Sequence, residues 1–573
     1  MILKALVDYY DRHGELPSFG MELKEIGFII VIDREGKFLR FEDRRIDKKS
    51  AQRFLVKKSV DRSSAPVANY LYDNSQYVLG YSDKGSLESM RKYFDCFRTR
   101  IEAIRDTIPG NADIQAVASF YRQEPETLIG IVEKDPLWNE ITKNLNKKYS
   151  MFSFLIQGDK NILASKQELI VSDNQGRHEM ADKLCLVTGK RSKAVEVTTA
   201  TMIPGSQAKA KLVAFQVSSG YDSYGKTKGY NAPISEEAEF AYSTAMNHML
   251  RQGSQNKFTI GTRTYLFWAS SRSEASAATE ESIFSLFGHS DVEDDDPNRR
   301  IETVRRAFMS VYNGLLSASA DDRFFILGLA PNAARIAVVY WLESPLREFA
   351  GQIGRHFSDM EIVDRRKDKK PYMGLHSILG SVTFGGKSTD APSNLPDAVA
   401  RSIFQGLPYP ASLFEACIRR IRAEQNVNII RAAIIKAYLN RNNKTDENKK
   451  IEIMLDSKNR NQGYLCGRLF AVLEKIQEDA NGIHTIRDRY MNSASSTPVV
   501  VFASILNLSL HHMEKLSMGA QVFYEKLKQE IISCLDPDGF PTHLNLQDQG
   551  RFFVGYYHQR QDLFTGKGER IKE

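Results

Sequence analysis

Cysteine, tryptophan and long apolar runs are scarce in this chain of 573 residues. Its five cysteines, Cys96, Cys185, Cys417, Cys466 and Cys534, are scattered, and no two fall at zinc-ligand spacing. A disulfide framework and a cysteine-rich zinc site are therefore excluded, and buried reduced thiols in a cytoplasmic protein are expected. No apolar run approaches the ~20 residues that a membrane-spanning helix needs. The best stretch, 498–510, is shorter and carries Ser504, Asn507 and Ser509. The opening MILKALVDYYDRHGELP puts acids and a histidine where a signal peptide needs an apolar centre, so no secretion signal and no membrane partner are expected. A dominant charge sign is also lacking. Lys and Arg number 78 against 71 Asp and Glu, a net charge of +7, which permits a polyanionic partner without requiring one.

What is present is an ordinary globular mixture, 42% hydrophobic and 26% charged, which rules out disorder as the main theme. At roughly 150 residues per domain the length allows several domains. Ile2, Leu3, Leu6, Tyr9 and Tyr10 recur at helical spacing, with Gly14 as a stop. FIIVID, a turn at Arg34-Glu35-Gly36 and KFLRF predict a hairpin. Leu87, Met90, Phe94, Phe97, Ile101 and Ile104 form the stripe of a long amphipathic helix. The middle carries β-like runs at KLVAFQV, RTYLFWA, RFFILGLA and RIAVVYW, with a helix capped by Ser235 and closed by Gly253. The acidic, Pro-containing stretch 290–300 predicts an exposed loop, and 440–450 a polar linker. Beyond residue 395 the pattern is almost wholly helical. The expectation is an α+β chain: a mixed part over 1–395 with short antiparallel sheets, then an all-α bundle over 396–573.

No catalytic constellation stands out. LGSVTFGGKST (379–389) approaches a phosphate loop, but Gly380 lies five residues before Gly386-Lys387-Ser388, one too many for amides and lysine to converge. His511 and His512 are adjacent, so on a helix they point about 100° apart and make poor joint ligands. His543 and His558 lie near Asp548, without a nucleophile signature. No catalytic residue, metal ligand or cofactor is assigned.

Polyanion binding has more support. Residues 36–62 hold ten Lys and Arg, including Arg44, Arg45, Lys48, Lys49, Lys57, Lys58 and Arg62, against four acids. Phosphates attract such a surface through counterion release, and the alternative is a solvated charged face. In 63–82 Ser64, Asn69, Asn74 and Gln76 have the chemistry to read base edges and the tyrosines to stack on bases. The alternative there is a turn at Asp73-Asn74 between short strands. A third patch, 203–233, interleaves Lys209, Lys211, Lys226 and Lys228 with Tyr221, Tyr224, Tyr230 and several glycines, unless it is a mobile surface loop.

Long blocks in order make the chain recognisable. YLYDNSQYVLG (70–80), CLVTGK (185–190), the run over 203–250 including SYGKTKGYNAPISEEAEFAYSTAMN, ILGLAPNAARIAVVYW (326–341), RAAIIKAYLNR (431–441), YLCGRLFAVLEKIQ (464–477), RYMNSASSTPVVVF (489–502) and QGRFFVGYYHQRQ (549–561) carry the likeness. The chain resembles, over essentially its full length, the large subunit of the type I-C CRISPR surveillance complex, Cascade. The resemblance implies a non-catalytic subunit at the 5′-handle end of the crRNA. Its expected partners are crRNA, double-stranded target DNA, the backbone, handle-binding and small subunits, and a helicase-nuclease. The implied work is recognition of the protospacer-adjacent motif (PAM), help in opening the duplex, R-loop stabilisation by holding the displaced strand, and nuclease recruitment.

The resemblance also suggests roles. Asn74 leads for PAM readout, with Asn69, Ser64 and Gln76. Arg44, Arg45, Lys57, Lys58 and Arg62 are assigned to phosphates. Lys209, Lys211, Lys226 and Lys228 are assigned to DNA or the crRNA handle. Arg419, Arg420, Arg422 and Arg431 are assigned to the displaced strand, with helix-surface solvation as the alternative. An internal start at Met454 is implied, which makes the helical end a separate small subunit. Two other classes remain: a general RNA-binding scaffold, and a nucleotide-dependent nuclease or ATPase using Lys387 and the histidines. Dependence of duplex binding on a short flanking motif separates the first reading from the scaffold. Turnover with Mg²⁺ and nucleotide identifies the enzyme.

Overall fold

The computed structural model describes residues 2–60, 62, 65–83, 86–172, 183–217, 220, 222, 224–260, 262–287, 297–364, 373–442, 450–483 and 485–564. Half of the chain is helical and 14% is strand, so the fold class is α+β. It divides into two compact units, residues 3–199 with 214–245, and residues 200–213 with 246–573.

The first unit opens with the expected helix, Ile2–Arg12, which buries Leu6, Val7 and Tyr9. Six strands follow: β1 (Met21–Glu25), β2 (Phe28–Ile32), β3 (Phe38–Asp43), β4 (Arg53–Lys57), β5 (Tyr72–Asn74) and β6 (Met151–Ile156). β1 pairs with β4 alone, while the larger sheet runs β3-β2-β6-β5. The β2–β3 hairpin forms as its sequence predicts. Asp33 accepts the amides of Glu35 and Lys37 at 3.0 and 2.8 Å, and Gly36 takes φ +87°. A Cβ at Gly36 would lie 2.4 Å from the Ala116 carbonyl, so the turn needs glycine twice over. The central pair β2–β6 is parallel, Phe28 opposite Phe152, which departs from the antiparallel expectation. β2 shows why. All five of its residues are buried, the continuous apolar run of a strand covered on both faces. The helix Leu87–Thr107 packs its predicted stripe, Phe94, Phe97 and Ile101, into this core.

Two further short strands, β7 (Lys183–Leu184) and β8 (Arg191–Ser192), make a small hairpin. Ser235 accepts the Ala238 amide at 3.2 Å and caps the helix Glu236–Leu250, as expected.

The second unit holds an antiparallel sheet of β9 (Lys257–Ile260), β10 (Arg263–Ala269), β11 (Arg323–Asn332) and β12 (Arg335–Pro345) in the order β12-β11-β10-β9. The β-like run KLVAFQV is not a strand; Lys211 alone bridges Arg335. The acidic stretch falls mostly outside the described residues, and its end, from Pro297, starts the helix Pro297–Tyr312. Of the linker at 440–450, 443–449 lie outside the described residues, and 440–442 finish the helix Ile429–Asn442.

The boundary expected near 395 falls inside this second unit. Residues past 395 complete the core under the sheet. Asp397 accepts Arg263 Nε at 2.8 Å and the Tyr265 hydroxyl at 2.6 Å, and Phe404 stacks 6.0 Å from Phe349. The helical end is a bundle nonetheless, with its closest pair Gln462–Asn481 and Leu546–Leu563. A Cβ at Gly467 would lie 2.0 Å from the Phe552 carbonyl, and one at Gly463 2.3 Å from that of Asp548. The two backbones approach so closely that only glycine fits between them.

The near-phosphate loop is a packing feature. Gly380 lies within the helix Leu375–Ser381, where a Cβ would sit 2.5 Å from the Gly386 carbonyl. His558 is buried beside the Tyr464 hydroxyl at 2.9 Å, and burial, with Lys436 nearby, pushes it down to about 3. Asp548 is engaged by Asn461 and Arg551 at 3.0 Å each. Among the described residues no group of three His, Cys, Asp or Glu is placed to hold a metal ion, and no helix is long and apolar enough to cross a membrane.

Candidate nucleic-acid interface

The basic segment of the first unit is far less free than its composition suggests. Arg40 and Arg44 share Glu42 at 2.5 and 2.6 Å. Arg45 grips Asp43 through Nε and Nη2, at 2.9 and 2.6 Å, and approaches Glu140 at 3.7 Å. The Arg45 fork holds the Asp43 carboxyl below its usual range, against a smaller push from burial. Arg53 meets Glu25 at 3.3 Å across the β1–β4 pair, and Arg62 is bound to Asp73. The positive charge is thus met by Glu42 and Asp43 within the run and by Glu25, Asp73 and Glu140 outside it. The side chains of Arg44 and Arg45 are 34% and 21% exposed, so a phosphate would have to compete with Glu42 and Asp43 to reach them.

Lysines add further positive charge to this surface. Lys57 lies 4.7 Å over the Tyr70 ring. Lys58 is exposed, 3.1 Å from the Thr199 hydroxyl and 5.7 Å over the Phe240 ring. Lys48 and Lys49 stand on the turn after β3. The Tyr149 hydroxyl reaches the Lys48 carbonyl at 3.4 Å and Asn144 at 3.1 Å, which ties that turn to the loop bearing Lys147 and Lys148. Lys48, Lys49, Lys147 and Lys148 are exposed, and none of these four has an ion pair among the described residues. Sequence reading missed Lys147 and Lys148 because they lie 85 residues past the end of the basic run at Arg62; adjacent lysines before a buried tyrosine were the available signal.

The polar set divides. Ser64 lies outside the described residues. Asn69 is corrected: it is 3% exposed, and its side-chain oxygen accepts the Val60 amide at 2.9 Å. It therefore holds the loop's shape from inside and offers no edge to a base. Asn74 ends β5 and caps the short helix Ser75–Val78, so the turn between strands gives way to a strand followed by a helix. Its oxygen accepts the amides of Gln76 at 3.1 Å and Tyr77 at 3.4 Å. That leaves the Asn74 Nδ2 group as the donor available to a ligand. Gln76 lies beside it, its amide 3.4 Å from the Ser82 hydroxyl.

The third patch is split between the units. Lys209 and Lys211 belong to the second, Lys226 and Lys228 to the first. Lys209 and Lys226 are exposed; Lys228 pairs with Glu196 at 2.7 Å. Gly229 serves its own fold, since a Cβ there would lie 2.4 Å from the Val195 carbonyl. Tyr224 is 98% exposed at φ +53°, a backbone region that disfavours side-chain-bearing residues. Its ring is left open to solvent.

The four bundle arginines also divide. Arg419 is exposed. Arg420 pairs with Glu424 at 2.5 Å and lies 5.1 Å over the Phe384 ring. Arg422 is half-buried, and burial holds its guanidinium below the usual range. Arg431 is corrected. It is 4% exposed, pairs with Glu424 at 2.5 Å and donates to the carbonyls of Ser381 and Asn426 at 2.9 and 3.0 Å. It crosslinks the bundle from within and is not available to a strand.

A search of curated proteins finds no match. The family model described as CRISPR-associated protein (Cas_Csd1) matches residues 6–564, nearly the whole chain and both of its units. The chain belongs to this Csd1 family of CRISPR-associated proteins, in keeping with the large-subunit blocks of its sequence.

Proposed function

We propose that this chain is the non-catalytic large subunit of a type I-C Cascade. In this reading it recognises the PAM on duplex DNA, aids unwinding, stabilises the R-loop and helps to recruit the helicase-nuclease. The observation that carries it is the family match over residues 6–564. The surface chemistry of the first unit supports it. Asn74 Nδ2 and Gln76 are the base-facing groups, and Lys57, Lys58, Arg44 and Arg45 are phosphate partners. Lys48, Lys49, Lys147 and Lys148 extend the phosphate track. Tyr224 with Lys226 supplies a stacking and charge element, and Arg419 an exposed cation on the bundle. The guide pairs with the target and supplies its sequence, so the protein needs only a short readout element of this size. Binding of flank-library duplexes by the crRNA-containing assembly, with and without this chain, tests the proposal.

The helical end carries a second element of the same reading. Met454 is 48% exposed and precedes the helices Gln462–Asn481, Thr485–Ala494, Pro498–Met513, Met518–Ile532 and Leu546–Leu563. Translation from Met454 yields residues 454–573 as a separate small subunit. A C-terminal tag on the intact gene is expected to reveal a second, short product on a western blot, lost on Met454→Ala. A single full-length band contradicts the internal start.

A further inference from the structure

Arg62 stands in the basic run, and composition assigns it to a phosphate. Its surroundings assign it elsewhere. Its Nη2 is bound to Asp73, whose side chain is 0% exposed. Its Nε donates to the Val67 carbonyl at 2.8 Å, and its guanidinium lies 4.0 Å from the centroid of the Tyr77 ring. Asp73 also accepts the amides of Asn69 and Asn74 at 2.9 Å each. One carboxylate therefore joins the loop before β5 to Asn74, the residue that caps the next helix. Asn69 closes the loop from the other side through the Val60 amide.

We propose that Arg62 and Asp73 are a positioning pair for base readout. They set residues 65–69 and the Asn74–Gln76 edge in register, and Arg62 makes no phosphate contact. Among the described residues Arg62 is the one ion-pair partner of Asp73. A phosphate that captured Arg62 would leave a fully buried carboxylate without a cation, which is strongly unfavourable. Burial already pushes the Asp73 carboxyl above its usual range, and the Asn69 amide and Arg62 work against that push. A phosphate contact also tolerates lysine as a point charge. Pairing with a carboxylate, donating to a carbonyl and stacking on a ring all at once needs the planar guanidinium.

The inference rests on the PAM-reading proposal above and is tested in the same assembly. Affinity is measured for a duplex with the preferred flank and one with a scrambled flank, across a salt series. Arg62→Gln, Arg62→Lys and Asp73→Asn are each expected to reduce the preferred-to-scrambled ratio at least tenfold. The slope of log affinity against log salt is expected to stay unchanged. The Arg62→Gln, Asp73→Asn double variant is expected to lose no more than the worse single one. Lys58→Gln is expected to weaken both duplexes alike and flatten the slope by about 0.9, the signature of one lost phosphate contact. If Asp73→Asn does not assemble, the two Arg62 variants decide alone, since that side chain lies at the surface. A slope flattened by about 0.9 in Arg62→Gln, with rescue by Arg62→Lys, overturns the pairing in favour of a phosphate contact. Selectivity that needs this chain but survives both Arg62 variants overturns the pair alone. Selectivity that survives without the chain overturns the pair and the reading beneath it.

Discussion

Asn74→Ala is expected to lower the assembly's preference for its favoured flank by about 1–3 kcal/mol, roughly five- to 150-fold, the range for one well-made base contact. The substitution removes two things together. It deletes the Nδ2 donor, and it deletes the oxygen that caps Ser75–Val78. Loss of such a cap costs about 1 kcal/mol of stability on its own. Asn74→Asp and Asn74→Ser separate the two, because both side chains cap and neither presents an amide. If all three variants lose the preference, the donor is what reads the flank. If Asn74→Ala alone loses it, Asn74 is a cap and the readout lies elsewhere. Melting curves of the three full-length chains supply the control: Ala is expected below wild type, with Asp and Ser close to it.

Gly467→Ala is expected to destabilise the helical end by about 3 kcal/mol, the upper part of the range for overpacking. The added Cβ would meet the Phe552 carbonyl at 2.0 Å, and a helix backbone cannot swing aside as a flexible side chain can. Gly463 and Gly555 repeat the close approach from both sides, so relief at one position strains the others. Gly519→Ala is the control. It lies in the helix Met518–Ile532, with nothing within 4 Å of its Cβ position, and alanine there is expected to be neutral or to stabilise by up to about 1 kcal/mol. Equal melting temperatures for Gly467→Ala and Gly519→Ala contradict the close packing of the two helices.

Local structure was legible where a short pattern decides it. The Ile2–Arg12 helix, the β2–β3 hairpin, the stripe of Leu87–Thr107 and the Ser235 cap all follow from residues within a turn or two of each other. Long-range pairing was not legible. Nothing in FIIVI says that its neighbour is MFSFLI, parallel and more than a hundred residues away. The boundary near 395 marks a change of composition, whereas the core is continuous through Asp397 and Phe404. How open the basic side chains are was not legible for one recurrent reason: a basic run counts charges, and pairing cancels them. Glu25 and Glu140, both outside the run, face Arg53 and Arg45. Arg431 carries the same lesson in reverse. On its helix it reads as a surface cation, yet Glu424 and two carbonyls fill its donors. Asn69 and Asn74 lie five residues apart in one polar stretch; one is buried with its oxygen on the Val60 amide, and the other is half-buried with its oxygen on the helix cap. Only the fold distinguishes them.

The central claim is that this chain supplies the assembly's recognition of the duplex flank. The most direct measurement is duplex binding by the purified crRNA-containing assembly, with the chain present and with it omitted, against a library of flanking sequences at one fixed salt concentration. Salt must be fixed because phosphate contacts make every affinity salt-dependent. The account predicts enrichment of one flanking motif in the complete assembly, and no enrichment when the chain is absent. The same motif enriched to the same degree without the chain contradicts it, and assigns flank recognition to another subunit.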